Sequence, residues 1–441
     1  MSTARDRRSG DRPRLVAALD IGSSKIGCLI AEQRVGSVSS GASGSPSLKV
    51  RAFTHQRSHG IKSGVVVDLP AAQRVVRAVV ADAELIARAH LSSVYVAVNC
   101  GRPKSQTFAG HVVVTDGVVH HREVEALASG AETFACRDGR TLLVLDQIGL
   151  RLDGVPVAGV PLGLAGRRLD ADHHAVTVDE GPLHNLSLLV RSCHLEIAGL
   201  VPAAYASALA ATTEEERRLG VISIDIGAGV TSIAAFVDGH FLFTDLIPVG
   251  GQHLTLDIAN GLGIPLAEAE RIKALYGTLV ASASDQHDLV AYRCTGGAEG
   301  LRNQTTKAVI GQIVRHRMQC LLQLVGQRVA AGSIGSIAIP RIVLSGGASR
   351  LLGLSGFVAR ELAVPGAARN GFDSGPSVRV ASPAVLAGVV DEQSSPAFAC
   401  LAGLQLAAAR QAPSSRHGSS SSGSGQHGYI GRMERWLQES F

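Results

Sequence analysis

Two aspartates occupy matching positions in two similar segments of the sequence. The first segment, LVAALDIGSSKIGCLIAE, contains Asp20, and the second, GVISIDIGAGVTSIAAFVDG, contains Asp225. In both, an apolar run ends in Asp-Ile-Gly, and a short turn leads into a second apolar run. An acid at the end of a strand can hold the water shell of Mg²⁺, which binds nucleotides through few protein carboxylates. The two aspartates are therefore candidate magnesium-binding residues.

The turn after Asp20 contains groups that bind phosphate. Gly22 permits a positive φ and leaves no side chain in the way, so successive backbone N–H groups can converge on an anion. Ser23 and Ser24 would add hydroxyl donors, and Lys25 would add a positive charge. For one segment taken alone, an ordinary tight hairpin with an aspartate in its turn is the better explanation. Two copies favour the functional interpretation, because two facing hairpins can grip one polyphosphate.

The runs on either side of each turn are short and rich in Val, Ile and Leu, which predicts buried strands. Each segment is therefore predicted to be a β-hairpin, and the repeat predicts two similar halves that begin near residues 14 and 219. A Rossmann or Walker loop is disfavoured, because the turns lead into strands and neither glycine-rich motif is present. Further helices are predicted at 68–91, 121–135, 266–277 and 313–331, and further strands at 94–99, 111–115, 142–147 and 173–179.

Two later motifs are weak by themselves. IVLSGGASRLLGL places Gly346 and Gly347 between a predicted strand and helix, where the backbone can lie flat against a base. AERIK places Glu270 and Lys273 one helical turn apart, which alone is better explained as a surface ion pair. Their order after the second hairpin makes them informative.

Composition bounds the class of protein. A chain of 441 residues with 46% hydrophobic residues predicts a globular body of two or more domains. The net charge of +5, without a basic stripe interleaved with aromatics, does not indicate nucleic-acid binding. Seven cysteines without CxxC spacing fit a reducing cytosol. No apolar run predicts a membrane span or a signal peptide, so we expect a cytoplasmic protein.

The C-terminal segment is amphipathic. At helical spacing, one apolar stripe collects Ile430, Met433, Trp436, Leu437 and Phe441. A helix over 429–441 would be about 20 Å long, too short to cross a bilayer but suited to its interface. A frayed tail, or a helix docked on the protein's own body, is the alternative. The Ser/Gly-rich linker at 409–428 favours a tethered element, and one such helix is a marginal anchor that needs several copies.

The order of two hairpins, a Glu-x-x-Lys helix and a Ser-Gly-Gly turn resembles the actin/Hsp70/sugar-kinase ATPase superfamily. Within it, the chain is similar to the FtsA family of bacterial cell-division proteins along almost its whole length. The stretches that carry the resemblance are ALDIGSSKIGCLIAE, SHGIKSGVVVDLPAA, GLAGRRL, LGVISIDIGAGVTSIAAFVDG, IPVGGQHLTLDIA, AERIK, RIVLSGGASRL and RWLQESF. The resemblance implies an α/β, actin-like (ribonuclease H-like duplicated) fold with two halves around a nucleotide cleft and an FtsA-type 1C insertion domain.

The resemblance also implies a binding site for ATP and Mg²⁺ in that cleft. The first phosphate loop would contain Asp20, Gly22, Ser23, Ser24 and Lys25. The second would contain Asp225, Gly227, Ala228, Gly229 and Thr231, with Gly250 and Gly251 opening the next helix. Glu270 and Lys273 would reach the ribose, and Gly346, Gly347 and Ala348 the adenine.

The resemblance also implies a division of the chain into domains. We expect a disordered basic arm at 1–13, domain 1A at 14–88 and 171–205, domain 1C at 89–170, domain 2A at 206–250 and 335–408, domain 2B at 251–334, the linker at 409–428 and the membrane helix at 429–441.

Two departures from the superfamily pattern argue against fast hydrolysis. Val230 stands where a phosphate-facing hydroxyl is common, and Thr231 is the candidate to compensate. Val201 precedes Pro202 where related ATPases have a glutamate that positions the attacking water. We therefore expect ATP binding with weak or slow ATPase activity at most.

Arg315 and Arg317 match an Arg-Pro-Arg sequence of the family, in which His316 replaces the proline. The resemblance implies that they receive the C-terminal peptide of FtsZ, whose acidic residues suit arginine. A basic, solvated helix face is the alternative.

Taken together, the resemblance implies a protein that tethers FtsZ filaments to the cytoplasmic face of the membrane at the division site. It would associate head to tail with itself and contact later division proteins through domain 1C. A sugar-kinase-type ATPase and an actin-like pilus-assembly scaffold are the alternatives; no acceptor base supports the first, and the amphipathic tail argues against the second.

Overall fold

The computed structural model describes residues 14–34, 47–136, 139–293, 302–337, 339–362, 376–381, 388 and 391–411. The strands are β1 Arg14–Ile21, β2 Lys25–Arg34, β3 Ser47–Arg57, β4 Ile61–Lys62, β5 Val65–Val66, β6 Ser93–Val98, β7 Lys104–Val113, β8 Thr141–Leu152, β9 Val155–Pro156, β10 Arg168–Val178, β11 Glu196–Pro202, β12 Val221–Ile226, β13 Thr231–Val237, β14 His240–Ile247, β15 Leu289–Arg293, β16 Arg302–Thr306, β17 Arg341–Ser345 and β18 Ser377–Val380. The α-helices are α1 Leu69–Ala87, α2 His121–Ala135, α3 Glu180–Arg191, α4 Ala203–Ala211, α5 Glu214–Leu219, α6 Gly251–Leu262, α7 Leu266–Tyr276, α8 Lys307–Ala331, α9 Leu354–Glu361 and α10 Ala399–Gln411.

Two five-stranded sheets have the same construction. The first has the order β11-β6-β1-β2-β3, in which β1 and β2 form an antiparallel hairpin and β1, β6 and β11 are parallel. The second has the order β14-β13-β12-β17-β18, in which β12 and β13 form the hairpin and β12, β17 and β18 are parallel. The predicted hairpins and the predicted duplication are thus confirmed.

Helices cover both faces of the sheets. Helices α1 and α3 share an apolar core with the first sheet on one face, and α4 and α10 share another on the opposite face. Alanines of α4 also pack against β12 and β13, so this helix lies between the halves. Helices α6 to α9 share the largest core with the second sheet. Small residues on α4 and α10 fit the low aromatic content, because they let helices and sheets approach closely.

A smaller unit is inserted between β6 and α3. Its four-stranded sheet has the order β7-β10-β8-β9, and α2 packs on it around Leu127, Leu150 and Leu169. The predicted boundaries of this unit, 89 and 170, fall earlier than those drawn by strand pairing. Strand β6 pairs with β1 and β11 of the first sheet, and β10 continues to Val178 beside β7 and β8.

The predicted helices are present, with shifts that local contacts explain. Helix α1 starts after Asp68, whose side chain accepts a hydrogen bond from Ala71 N at 3.0 Å. Helix α8 starts six residues earlier than predicted, because Thr306 caps it by accepting from Val309 N at 3.4 Å. Among the described helices, none has the length and apolar character needed to cross a membrane.

Candidate functional site

The turns of the two hairpins have the same geometry. Gly22 N donates to Lys25 O at 3.0 Å, and Gly227 N donates to Val230 O at 2.9 Å. A Cβ added to either glycine would lie 2.9–3.0 Å from that same carbonyl oxygen, closer than nearly all real Cβ contacts. The turns therefore require glycine for close approach. Val230 is the structural equivalent of Lys25, so the second loop lacks the charge of the first.

The two loops meet across the boundary between the halves. A Cβ on Gly229 would lie 2.6 Å from the Oγ atom of Ser23. That oxygen accepts a hydrogen bond from Gly64 N at 3.0 Å, so Ser23 has a defined position. The hairpins thus face each other, as expected of loops that bind one ligand from both sides.

Acidic groups from both halves converge beside these loops. Burial raises the pKa of Asp20 to about 6, against the opposing charge of Lys25. Burial also raises the pKa of Asp225, against a hydrogen bond from the Ser207 hydroxyl and the charge of Lys25. Burial in turn lowers the pKa of Lys25, although both carboxylates oppose that change. One ammonium shared by two buried carboxylates leaves negative charge that a divalent cation can neutralise.

The Ser-Gly-Gly turn packs against the same aspartate. Gly346 has φ +86°, in the left-handed region, and a Cβ there would lie 2.3 Å from the Oδ1 atom of Asp225. A Cβ on Gly251 would lie 3.3 Å from the Cβ of Ala348 in the 3₁₀ turn that includes Gly347. The structure therefore brings the third predicted turn beside the second hairpin and the start of α6.

The first amides of α6 are used within the protein. Gly251 N donates to Gly227 O and Gln252 N to Ala228 O, both at 2.8 Å. Gly250 precedes them in an extended conformation, and a Cβ there would lie 2.5 Å from Gly227 O. These contacts hold the second loop against α6.

The ion pair of AERIK is part of a larger network. Lys273 Nζ lies 2.7 Å from Glu270 Oε2, and the Lys273 side chain is 17% exposed. Thr255 Oγ1 donates to Glu270 at 2.6 Å, and Lys273 Nζ donates to Gly251 O at 3.2 Å. The pair therefore joins α7 to the start of α6 and is not an isolated surface ion pair.

Thr231 does not present its hydroxyl to the loop. The residue is fully buried, and its Oγ1 donates to Val249 O at 2.7 Å. The hydroxyl therefore links β13 to the segment before α6. Compensation for Val230 by this hydroxyl, considered from the sequence, is not supported by its orientation.

Sequence reasoning missed several polar contacts of the site. Ser207 donates to the Oδ2 atom of Asp225, and Thr255 lies inside the Glu270–Lys273 network. Lys25 Nζ donates to Ala397 O and lies 3.9 Å from the centroid of the Phe398 ring. The only signal for Ser207 was a hydroxyl within the apolar run AAYASALAA. No local sequence pattern indicated the contact of Lys25 with Ala397 and Phe398.

The two arginines predicted to bind the FtsZ peptide have different surroundings on α8. Arg317 makes a bidentate ion pair with Asp257, with distances of 2.5 Å (Nε–Oδ2) and 2.8 Å (Nη2–Oδ1). Arg315 folds over Gly311, and its Nη1 atom is buried without a hydrogen-bond partner among the described residues. His316 is exposed within a regular helix, so the absent proline does not disturb the backbone.

Some predicted features lie outside the described residues. These are the arm at 1–13, most of the linker at 409–428, and the tail residues Ile430, Met433, Trp436, Leu437 and Phe441. Within the described ranges, no group of three or more His, Cys, Asp or Glu side chains has the arrangement of a metal site.

Solved structures share the overall fold of this chain. The PilM–PilN type IV pilus biogenesis complex is 18% identical, with a TM-score of 0.59 over 89% of this chain and 98% of that chain. MreB5 of Spiroplasma citri, bound to AMPPNP, is 15% identical, with a TM-score of 0.51 over 90% and 96% of the two chains. The fold is therefore that of the actin-like proteins.

Sequence comparisons show to which family within this fold class the chain belongs. The family models "Cell division protein FtsA" and "SHS2 domain inserted in FTSA" match residues 222–403 and 100–177. The cell division protein FtsA of Agrobacterium fabrum is 33% identical over 98% of this chain and 96% of its own length. FtsA of Escherichia coli is 27% identical over 97% and 98%. The chain belongs to the FtsA family of cell division proteins.

Proposed function

We propose that this protein binds ATP with Mg²⁺ between its halves and tethers FtsZ filaments to the cytoplasmic face of the membrane at the division site. The observation that carries the nucleotide part is the contact of the two glycine hairpins, with Ser23 against Gly229 and a buried aspartate behind each turn. Membership of the FtsA family supports the cellular role.

The residues present fit a magnesium-bound nucleotide. Asp20 and Asp225 would hold the water shell of Mg²⁺, and Lys25 would bind a phosphate oxygen. Burial raises the pKa of Asp20 because its carboxylate loses water, and a bound ion would stabilise that carboxylate in its charged form. The crystal structures of MreB5 of Spiroplasma citri contain ADP or AMPPNP, in the same fold. The remaining proposed contacts are the loop residues Gly22, Ser23, Ser24, Gly227, Ala228 and Gly229, the α6 residues Gly250 and Gly251, Glu270 and Lys273 at the ribose, and Gly346, Gly347 and Ala348 at the adenine.

Hydrolysis should be slow, because two described positions at which related ATPases have polar side chains are occupied here by Val201 and Val230. Val201 is 1% exposed at the end of β11, within the core shared by α4 and α10. Val230 offers no hydroxyl, and that of Thr231 is used on Val249. A turnover typical of dedicated ATPases would contradict this proposal.

The nucleotide proposal is tested by titrating a fluorescent ATP analogue with and without Mg²⁺. Wild-type protein should bind in a magnesium-dependent manner, and Asp225→Asn should lose most of that dependence. Asp82→Asn is the matched control, because Asp82 is exposed on α1 and bonds Gln56. Equal, magnesium-independent affinity of all three proteins would overturn the assignment.

For the FtsZ peptide, Arg315 is the better-placed arginine. If the half-buried side chain of Arg315 turns away from Gly311, its unpartnered Nη1 can donate to a carboxylate of the peptide, whereas Arg317 already pairs with Asp257. Charge reversal at Arg315 should abolish binding of an acidic C-terminal FtsZ peptide. Asp257→Asn, which frees Arg317, should preserve or strengthen it. Binding that survives both Arg315→Glu and Arg317→Glu places the peptide elsewhere.

The membrane role rests on the tail pattern and on self-association. We propose that the stripe containing Trp436 inserts into the interface and that head-to-tail assembly presents several tails together. Full-length protein should co-sediment with liposomes more strongly in the presence of ATP, and a 1–428 truncation should stay in solution. Equal sedimentation of both proteins would refute tethering by the tail. The inserted unit between β6 and α3 is proposed to contact neighbouring subunits or later division proteins.

A further inference from the structure

The Lys25 ammonium is held by a segment that is remote in the sequence. Its Nζ donates to Ala397 O, 372 residues further along the chain, and lies 3.9 Å from the centroid of the Phe398 ring. The oxygen supplies a hydrogen-bond acceptor, and the ring face supplies a cation–π contact. Together they hold the only cation that the described part of the two hairpin turns contributes.

The ring of Phe398 is itself fixed by neighbours on β3. It makes edge-on contacts with Phe53 at 5.0 Å and with His55 at 5.1 Å between ring centroids. The preceding Pro396 O accepts from Gly346 N at 2.9 Å, so the same short segment is bound to the second half. The ring is therefore a pre-positioned platform, and it lies at the start of α10.

We propose that Ala397 O and the Phe398 ring form a resting position for Lys25, from which a bound polyphosphate withdraws the ammonium. Phe398 is in this sense a positioning residue, and this inference rests on the nucleotide site proposed above. The ammonium cannot keep the ring contact and also turn all its donors to phosphate. A polyphosphate that takes up these donors breaks the resting contacts, and the free energy of breaking them lowers the apparent affinity for the ligand.

This competition predicts that removal of the aromatic ring increases the affinity for ATP. Removing the aromatic ring weakens the resting position, so Phe398→Leu should bind ATP about fivefold more tightly than wild type, the value expected for one cation–π contact. A purely structural role predicts the reverse, because a loosened aromatic cluster would disturb the loop. Phe398→Tyr, which keeps the ring face, should restore wild-type affinity.

The matched control is Phe53→Leu. Phe53 packs on the same ring, whereas the Lys25 ammonium lies over Phe398, so this variant loosens the cluster without removing the platform. It should leave ATP affinity unchanged or reduce it. In the Lys25→Ala background, Phe398→Leu should have no effect on affinity. A gain in Phe53→Leu equal to that in Phe398→Leu, or weaker binding by Phe398→Leu, would overturn the proposal.

A second measurement needs no nucleotide. Brief acetylation of the full-length protein without ATP, followed by peptide mass spectrometry, compares the reactivity of Lys25 with that of Lys307, which is paired with Asp288 on another surface. Phe398→Leu should raise the relative labelling of Lys25 several-fold, and inorganic tripolyphosphate, which would cover the ammonium, should lower it in wild type. Unchanged labelling in the variant refutes the resting position. Absence of ATP binding in wild type with increased labelling in the variant refutes the nucleotide site alone.

Discussion

Asp20 and Asp225 show how burial prepares acids for a cation. They come from different halves, yet the charge of each raises the pKa of Lys25. In the described loops, Lys25 is the one positive group near both carboxylates. The raised pKa values mean that their charges are costly without a further counter-ion. The buried charges therefore lower the stability of the ligand-free protein, and binding of a divalent cation would restore that stability.

The first prediction concerns this cost. Burial raises the pKa of Asp20 from 3.8 to about 6, so the folded state binds the proton more tightly than the unfolded state. The contribution of Asp20 to the stability of wild type should then fall as pH rises between these values, and its full cost should be present above about pH 6. Without nucleotide, Asp20→Asn should be more stable than wild type by on the order of 1–2 kcal/mol at neutral pH. The difference should approach zero near the unfolded pKa.

Urea unfolding at about pH 4.5 and about pH 7.5 measures that difference. Asp82→Asn, at an exposed site on α1, provides the control for loss of a charge. A stabilisation by Asp20→Asn that is equal at both pH values would show that the buried charge is not its cause.

At the scale of elements, helices α4 and α10 cross at very short distance. A Cβ on Gly403 would lie 1.6 Å from Ala206 O, an approach that no side chain permits. Helix α4 also provides Ser207, the next residue, which donates to Asp225. The crossing therefore determines how deeply α10 packs, and with it where Phe398 and Lys25 meet.

The second prediction tests this crossing. Gly403→Ala must push α10 away from α4, and we expect a loss of about 3 kcal/mol in the free energy of unfolding. Gly130→Ala, in α2, has open space within 4 Å of the new Cβ and should be neutral or stabilising by up to about 1 kcal/mol. Chemical unfolding followed by circular dichroism compares the two. Equal effects of both substitutions would mean that helix propensity, and not the crossing, governs Gly403.

At the scale of the molecule, the site is built from two similar halves that each supply one hairpin. The second half adds the Gly346 turn and the Glu270–Lys273 network, and the inserted unit lies between β6 and α3, away from both hairpins in the chain. A ligand that contacts both hairpins stabilises their mutual arrangement as well as each loop.

The third prediction follows from this linkage. ATP with Mg²⁺ at about 100 times its dissociation constant should stabilise the fold by about 2.7 kcal/mol and raise its Tm by about 2–4 °C. Lys25→Ala should lose most of this shift, whereas Lys307→Ala, at the half-buried pair with Asp288, should retain it. Differential scanning fluorimetry with adenosine as the ligand control measures the effect. A shift of the same size in Lys25→Ala would show that the nucleotide binds away from the first hairpin.

Local pattern alone was sufficient for the hairpins, the duplication and most helices. Alternation of apolar runs with glycine turns is a property of neighbouring residues, so β1–β2 and β12–β13 were predicted from the sequence. The amphipathic stripe of the tail is also a local pattern, and its role remains a prediction.

Tertiary structure decided what the site residues contact. Thr231 donates a hydrogen bond to Val249, and both Glu270 and Lys273 bond Thr255. Lys25 contacts Ala397, which is 372 residues away in the sequence, and the neighbouring Phe398. None of these contacts follows from spacing, because each depends on how sheets and helices pack after the chain has folded. The sequence by itself determined which residue types stand at the two turns and to which family the chain is similar; packing determined which of their polar groups are used by the protein and which remain for a ligand.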